Sequence, residues 1–244
     1  MIPWLGPNDP FPPCSTAQRE PNGLLAAGGD LSPERLVEAY SHGVFPWFNE
    51  GEPILWWSPS PRMVLFPEEL KISRSLKKTL RNRKYEVRLD SAFSTVMQAC
   101  AEARKGQSGT WISPVMIAAY TRLHQRGIAH SAETWVDGEL VGGLYGVALG
   151  RMFYGESMFS TVTDASKIAF VHLVRQLQRW GFGLIDCQMK TAHLSSLGAR
   201  EIPRPDFLRR VSKLIQYSPV ALSWQFDANL KEEWEADAQR FSSP

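Results

Sequence analysis

Cysteine is scarce in this chain: Cys14, Cys100 and Cys187 stand far apart and in no CxxC pair. That spacing argues against a disulfide framework or a zinc site and fits a reducing cytoplasm best. The five histidines show no HExxH or other ligand spacing, so no metal is indicated. Long apolar runs are missing too. Nothing approaches the roughly 18 consecutive apolar residues of a membrane span, and the N-terminus, MIPWLGPNDPFPPC, lacks both the positive and the apolar segment of a signal peptide. Neither charge sign dominates. The net charge of +2 argues against a protein that coats nucleic acid indiscriminately.

What remains is an ordinary globular composition: 244 residues, 43% hydrophobic and 21% charged, enough for one large domain or two smaller ones. Two features stand out. There are 9 Trp against 6 Tyr, an excess of a side chain suited to stacking on flat ligands. Charge is also segregated. Residues 71–88 hold eight Lys/Arg and one Glu, and residues 227–238 hold five acids and one Lys. A local basic patch can bind phosphate even when the whole chain is near neutral.

Along the chain, residues 1–18 are Pro-rich and read as an extended arm. Ser32-Pro33 opens a helix ending near Gly43, followed by an aromatic, Pro-punctuated loop (Phe45-Pro46-Trp47-Phe48, then Trp56-Trp57-Ser58-Pro59). A soft boundary near Arg62 divides a small N-terminal unit, 1–62, from the remainder, 63–244. The spacing predicts a helix over 71–83 with Ile72, Leu76 and Leu80 on one face and Lys71, Arg74, Lys78 and Arg81 opposite. A strand at 85–89 and helices at 91–104 and 114–126 follow. Asp137-Gly138 marks a hairpin between strands 131–136 and 139–149. Gly150 turns into a strand ending near Glu156, and Asp164 caps an apolar helix that runs to Trp180. The strand Leu184–Gln188 comes next. Hairpins, a crossover helix and a further strand make an α+β layout.

Strand alternation places Leu184, Asp186 and Gln188 on one face and Ile185 and Cys187 on the other. A carboxylate in so apolar a strand is costly unless paired, which fits either a structural ion pair or a functional site. Gly155-Glu156-Ser157-Met158-Phe159 nearly matches the hydrolase elbow GxSxG, but Phe159 takes the final glycine and the antiparallel context is wrong. Glu156 suits a cationic substrate or a neighbouring Arg. The segment Gln178-Arg-Trp-Gly181-Phe-Gly183 imitates a coenzyme A pyrophosphate loop, yet its glycines follow a helix instead of preceding one. Residues 155–166 contain one glycine, so no pyrophosphate cradle is expected. The basic face over 71–83 is either a solvated surface or a phosphate contact.

In order along the chain stand Arg19-Glu-Pro-Asn-Gly-Leu-Leu25, Gly28-Gly-Asp-Leu31, Gly43-Val-Phe-Pro-Trp-Phe48 and Ile54-Leu-Trp-Trp-Ser-Pro59. They continue with Gly109-Thr-Trp-Ile112, Gly142-Gly-Leu-Tyr-Gly146, Gly155-Glu-Ser-Met-Phe-Ser160, Leu184-Ile-Asp-Cys-Gln188 and Ser196-Leu-Gly-Ala199. Together, over about residues 19–210, they resemble the bacterial leucyl/phenylalanyl-tRNA–protein transferases. The resemblance implies a small N-terminal domain packed on a C-terminal domain of the GNAT-type acyltransferase superfold, lacking coenzyme A and any other cofactor. It implies transfer of Leu or Phe, and less readily Met, from aminoacyl-tRNA to proteins with N-terminal Arg or Lys, marking them for N-end rule degradation.

The resemblance also assigns residues. Asp186 acts with Gln188 on the attacking α-amine, and Glu156 holds the acceptor's positive end. Phe153 and Ile185 match the aminoacyl pocket, with Leu144, Leu173 and Leu177 where relatives can have Met or Phe, and Arg179 where one can have Ser. Trp47, Trp111, Tyr120 and Gly155 fall at the adenosine and acceptor site. Arg74, Lys78 and Arg81 fall on the tRNA-contacting helix. Trp56 and Trp57 are expected to brace the loop, Trp135 and Trp180 to be core, and Trp4, Trp224 and Trp234 have no assigned task. A chain with its own donor pocket and acceptor site needs no partner subunit, which suggests a soluble monomer. A coenzyme A-dependent N-acetyltransferase and a non-catalytic RNA-binding module are the rival readings.

Overall fold

The computed structural model describes residues 2–103, 111–220 and 223–230. Its helices begin largely where local chemistry dictates. Ser32 accepts from the Arg35 amide ahead of α1 (Pro33–Ser41), and Ser73 from the Leu76 amide ahead of α2 (Arg74–Asn82). After α3 (Phe93–Glu102), Ser113 caps α4 (Pro114–Gln125) through the Met116 amide. Each cap satisfies an amide that the first helical turn leaves unpaired. The next helix, α5 (Ala165–Arg179), corrects the sequence reading. Asp164 precedes it in a left-handed conformation, φ 66°, and makes no capping bond. Its carboxylate holds Lys167 Nζ at 2.8 Å and accepts from the Thr79 hydroxyl at 3.3 Å. Two further helices, α6 (Ala192–Ser196) and α7 (Arg204–Leu214), follow among the described residues.

The strands form two sheets. A four-stranded sheet contains β1 (Trp4–Leu5), β2 (Leu24–Gly28), β3 (Phe45–Pro46) and β4 (Leu55–Trp57) in the order β1-β2-β4-β3. The Pro-rich arm therefore does more than extend: it supplies an edge strand parallel to β2. The seven-stranded sheet contains β5 (Arg62–Leu65), β6 (Glu86–Leu89), β7 (Ala129–Val136), β8 (Glu139–Leu149), β9 (Met152–Ser160), β10 (Leu184–Gln188) and β11 (Arg200–Ile202). Its order is β11-β5-β10-β9-β8-β7-β6. The Asp137-Gly138 hairpin forms as predicted, with φ 51° and 83° at the two turn residues. The strand predicted to end near Glu156 runs on to Ser160, because β8 keeps pairing with it through Gly142↔Ser160.

Helix α5 crosses one face of the large sheet. It approaches so closely that a Cβ at Gly142 would sit 2.6 Å from the Ala165 Cβ, which only glycine avoids. Leu76 and Leu80 of α2 are buried on that same side, while Arg74, Lys78 and Arg81 are exposed. The opposite face carries α3 and α4. There the core continues without a break into the N-terminal sheet: Leu25, Tyr40 and Trp56 share one cluster with Val96, Tyr120, Tyr145 and Tyr154. Trp135 and Trp180, expected in the core, are half-buried. Trp135 lies at a strand end beneath the Arg88 guanidinium. Among the described residues no helix is long and apolar enough to cross a membrane.

Candidate active site

Strands β9 and β10 run parallel but pair over three residues only, Leu184↔Met152, Ile185↔Phe153 and Asp186↔Tyr154. Beyond that point β9 continues along β8, while β10 bulges and turns at Gln188, φ 59°. The two strands part, and a cleft of about 410 Å³ opens between them. Phe45, Pro46 and Trp47 of the N-terminal unit, with Trp111, form one rim. Trp57 donates its indole N–H to the Trp47 carbonyl at 2.7 Å, and Trp56 donates to the Gly28 carbonyl at 2.8 Å. Trp57 braces the Trp47 loop as expected, whereas the Trp56 indole is fixed to β2.

Glu156 and Gln188 sit on the facing strands of the cleft, and Gln188 Nε2 donates to Glu156 Oε1 at 3.0 Å. The Tyr40 hydroxyl donates to the same oxygen at 2.7 Å, the Tyr120 hydroxyl to Oε2 at 3.2 Å, and the two phenols contact each other. Burial pushes the Glu156 carboxyl up to about 7, against the opposing pull of the Tyr40 hydrogen bond. Tyr40 comes from α1 and is itself located by Tyr154, whose hydroxyl donates to its carbonyl at 2.7 Å.

Asp186 has different company. Arg62 Nε and Nη2 donate to its two oxygens at 2.8 and 2.6 Å, both side chains are 0% exposed, and the Gln188 amide donates to Oδ1 at 2.8 Å. The Arg62 guanidinium is sandwiched between the Phe45 and Phe207 rings. The structural ion pair anticipated as one of two options for this strand is therefore present. Cys187 also lines the cleft, but burial pushes its thiol well up, so it is no thiolate nucleophile. Burial, with the Lys167 ammonium, holds the cleft-lining His193 below the usual imidazole range.

Of the residues predicted from sequence, Trp47, Trp111, Leu144, Gly155, Glu156, Ile185, Asp186 and Gln188 line the cleft. Tyr120 stands behind it, in contact through Glu156. Phe153, Leu173 and Leu177 lie deeper, in the core under α5. Arg74, Lys78 and Arg81 lie outside the cleft on α2. Sequence reasoning missed Tyr40, Arg62, Phe45, Met158, Phe170 and His193. Phe170 was discoverable, standing one helical turn before Leu173. Met158, two residues along β9 from Glu156, and Phe45, two before Trp47, were discoverable from local spacing too, whereas Tyr40 and Arg62 meet the site only through tertiary contact.

At the α5 N-terminus the amides that a pyrophosphate would need are engaged. Ala165 N–H bonds the Val162 carbonyl at 3.0 Å, and Ser166 N–H bonds Ser160 Oγ at 3.3 Å. The adjacent Asp164 adds a carboxylate, which disfavours an anion there.

The model of the leucyl/phenylalanyl-tRNA protein transferase family matches residues 64–212, and the model of its N-terminal domain matches residues 29–60. The leucyl/phenylalanyl-tRNA–protein transferase of Nitrosomonas eutropha is 69% identical over 227 residues, covering 93% of this chain and 97% of that one. Its counterpart in Nitrosospira multiformis is 67% identical over 227 residues, 93% of this chain and 98% of that one. Among solved structures, L-PGS from Bacillus licheniformis aligns at a TM-score of 0.42 with 11% identity, covering 77% of this chain and 71% of that chain.

Proposed function

Because the chain belongs to the leucyl/phenylalanyl-tRNA–protein transferase family, we propose that it moves Leu or Phe, and less readily Met, from charged tRNA to proteins beginning with Arg or Lys. The new N-terminus marks those proteins for N-end rule degradation in the cytoplasm. The observation that carries the chemistry is the placement of Glu156, ringed by Tyr40, Tyr120 and Gln188, in a cleft whose other walls are largely apolar.

The donor ester is already activated, so the reaction needs a positioned, neutral amine and no further cofactor. An α-amine has an ordinary pKa of about 7.7–8.0. A carboxyl raised to about 7 lies close enough to exchange its proton at a cost of about 1 kcal/mol. Glu156 is the base in this reading. It receives the amine proton as the nitrogen attacks the ester carbonyl, and it passes that proton to the tRNA 3′-oxygen as the C–O bond breaks and the 3′-hydroxyl leaves. This exchanges the parts that the resemblance assigned. Asp186, saturated by Arg62 and the Gln188 amide, is the anchor that sets Gln188, and Gln188 orients Glu156. Positioning of amine against ester supplies the larger share, about 7–11 kcal/mol for a well-oriented pair.

Trp47 and Trp111 offer flat walls for the terminal adenosine, Leu144 and Ile185 begin the aminoacyl pocket, and Arg74, Lys78 and Arg81 contact tRNA phosphates. One chain, acting as a monomer, contains all of these. The direct test incubates the protein with Leu-tRNA and an Arg-initiated peptide. The expected result is a peptide heavier by one Leu residue, and an unchanged peptide mass sinks the reading.

A further inference from the structure

Residues 223–230 have no part in the reading above, yet Trp224 packs into the buried cluster that lies behind the cleft. Trp224 is 4% exposed. Its indole lies flat on the His130 imidazole, with centroids 3.7 Å apart and planes within 2°. The same indole meets Trp180 at 4.9 Å, Phe182 at 6.0 Å and Phe153 at 6.2 Å. The His130 ring is fixed in turn, Nδ1 at 2.7 Å from the Asp90 carboxylate and Nε2 at 3.1 Å from the Gly127 carbonyl.

Helix α5 latches the segment from its other side. Arg179 donates to Asp227 at 2.9 Å and to Asn229 at 2.7 Å, and Gln176 Oε1 accepts from the Asp227 amide at 2.9 Å. Arg179 thus serves as the latch.

Phe170 lines the cleft. Leu173 and Leu177 follow it at helical spacing on the same face of α5, leading away from the cleft toward Trp180. Phe170, Leu173, Leu177, Phe153 and Ile185 share one buried cluster with Trp224. The apolar end of the cleft is therefore continuous with a column of side chains that Trp224 terminates. We propose that Trp224 is a specificity-determining positioning residue: it closes the far end of the aminoacyl pocket and sets the depth available to the donor side chain. Acting through Phe153, Leu173 and Leu177, it decides how well Phe is accepted relative to Leu. This rests on the transferase reading. A rigid indole held by ring contacts and by an anchored segment keeps that depth constant, as a flexible aliphatic side chain would not.

The test sets Leu-, Phe- and Met-tRNA in competition for one Arg-initiated peptide and compares kcat/KM for wild type, Trp224→Leu, Trp224→Phe and Arg179→Ala. In a pocket of this kind one methylene is worth about 10–200-fold. Trp224→Leu is expected to raise the Phe-to-Leu ratio by about tenfold, with the peptide KM unchanged. Trp224→Phe and Arg179→Ala are expected to move the ratio the same way by less, and they carry the readout if Trp224→Leu is insoluble. An equal loss for all three donors, or an unchanged ratio in every variant that folds, overturns the proposal. A wild-type protein that transfers none of the three amino acids overturns the transferase reading instead.

Discussion

Glu156 and Asp186 are both hidden from water, but phenols and an amide surround the first while a guanidinium grips the second. The difference separates their variants. Glu156→Gln should lower single-turnover transfer by about 10²–10⁴-fold and abolish the acid limb of the rate near pH 7. Its effect on stability has a definite sign. The folded-state carboxyl is raised from 4.5 to about 7, so its contribution is whole below about pH 4.5 and lost as pH rises through about 7. Glu156→Gln should therefore melt higher than wild type above that pH. Asp186→Asn strands a buried Arg62 charge and should cost about 3–5 kcal/mol in urea unfolding. If Asp186→Asn stays as stable as wild type while losing the acid limb, the base is Asp186 after all. Sequence alone flagged Asp186 through the cost of burying an acid in an apolar strand. It did not supply the partner, because Arg62 is 124 residues away and Tyr40 is 116 residues from Glu156. Such pairings have no local periodicity to betray them.

Helix starts at Ser32 and Ser113 were legible because a cap is a contact within three residues. The end of β9 was not, since β8 sets it, and neither was the left-handed Asp164, whose carboxylate turns to Lys167 and Thr79. The parting of β9 and β10 was equally invisible, although it creates the cleft. Helix α2 is the opposite case, its charged face readable from sequence although the helix begins at Arg74 and leaves out Lys71 and Ile72, and it carries the clearest prediction at this scale. Replacing Arg74 and Lys78 by Ala should weaken tRNA binding. It should also flatten the plot of log affinity against log salt by about 1.5, the share of two phosphate contacts. A slope identical to wild type removes α2 from the tRNA surface.

At the level of the whole molecule, the N-terminal sheet is part of the site. Phe45 lies on its strand β3, Trp47 follows that strand and Tyr40 comes from the neighbouring α1, and its core is continuous with that of the large sheet. Gly43 is the joint between α1 and β3, at φ 70°, and an added Cβ would lie 2.6 Å from Leu208 Cδ2 and 2.9 Å from the Phe207 ring. Gly43→Ala should cost at least about 1–2 kcal/mol from backbone conformation alone. It should lower the melting temperature and the transfer rate together, and a loss of neither would show that the joint is soft. The tryptophan excess resolves at this scale too. Trp47 and Trp111 wall the cleft, Trp57 braces the rim, Trp56 is tied to β2, and Trp224 packs in the buried cluster with α5. The span of contributing positions has a consequence for biosynthesis. At about 5–20 residues per second, roughly 7–30 s separate the emergence of Tyr40 from that of Gln188. Until the end of that interval the ring of contacts around Glu156 lacks Gln188 and stays incomplete. A fragment truncated before β10 lacks both Gln188 and the Asp186 anchor and is expected to transfer nothing, even where α2 is already folded.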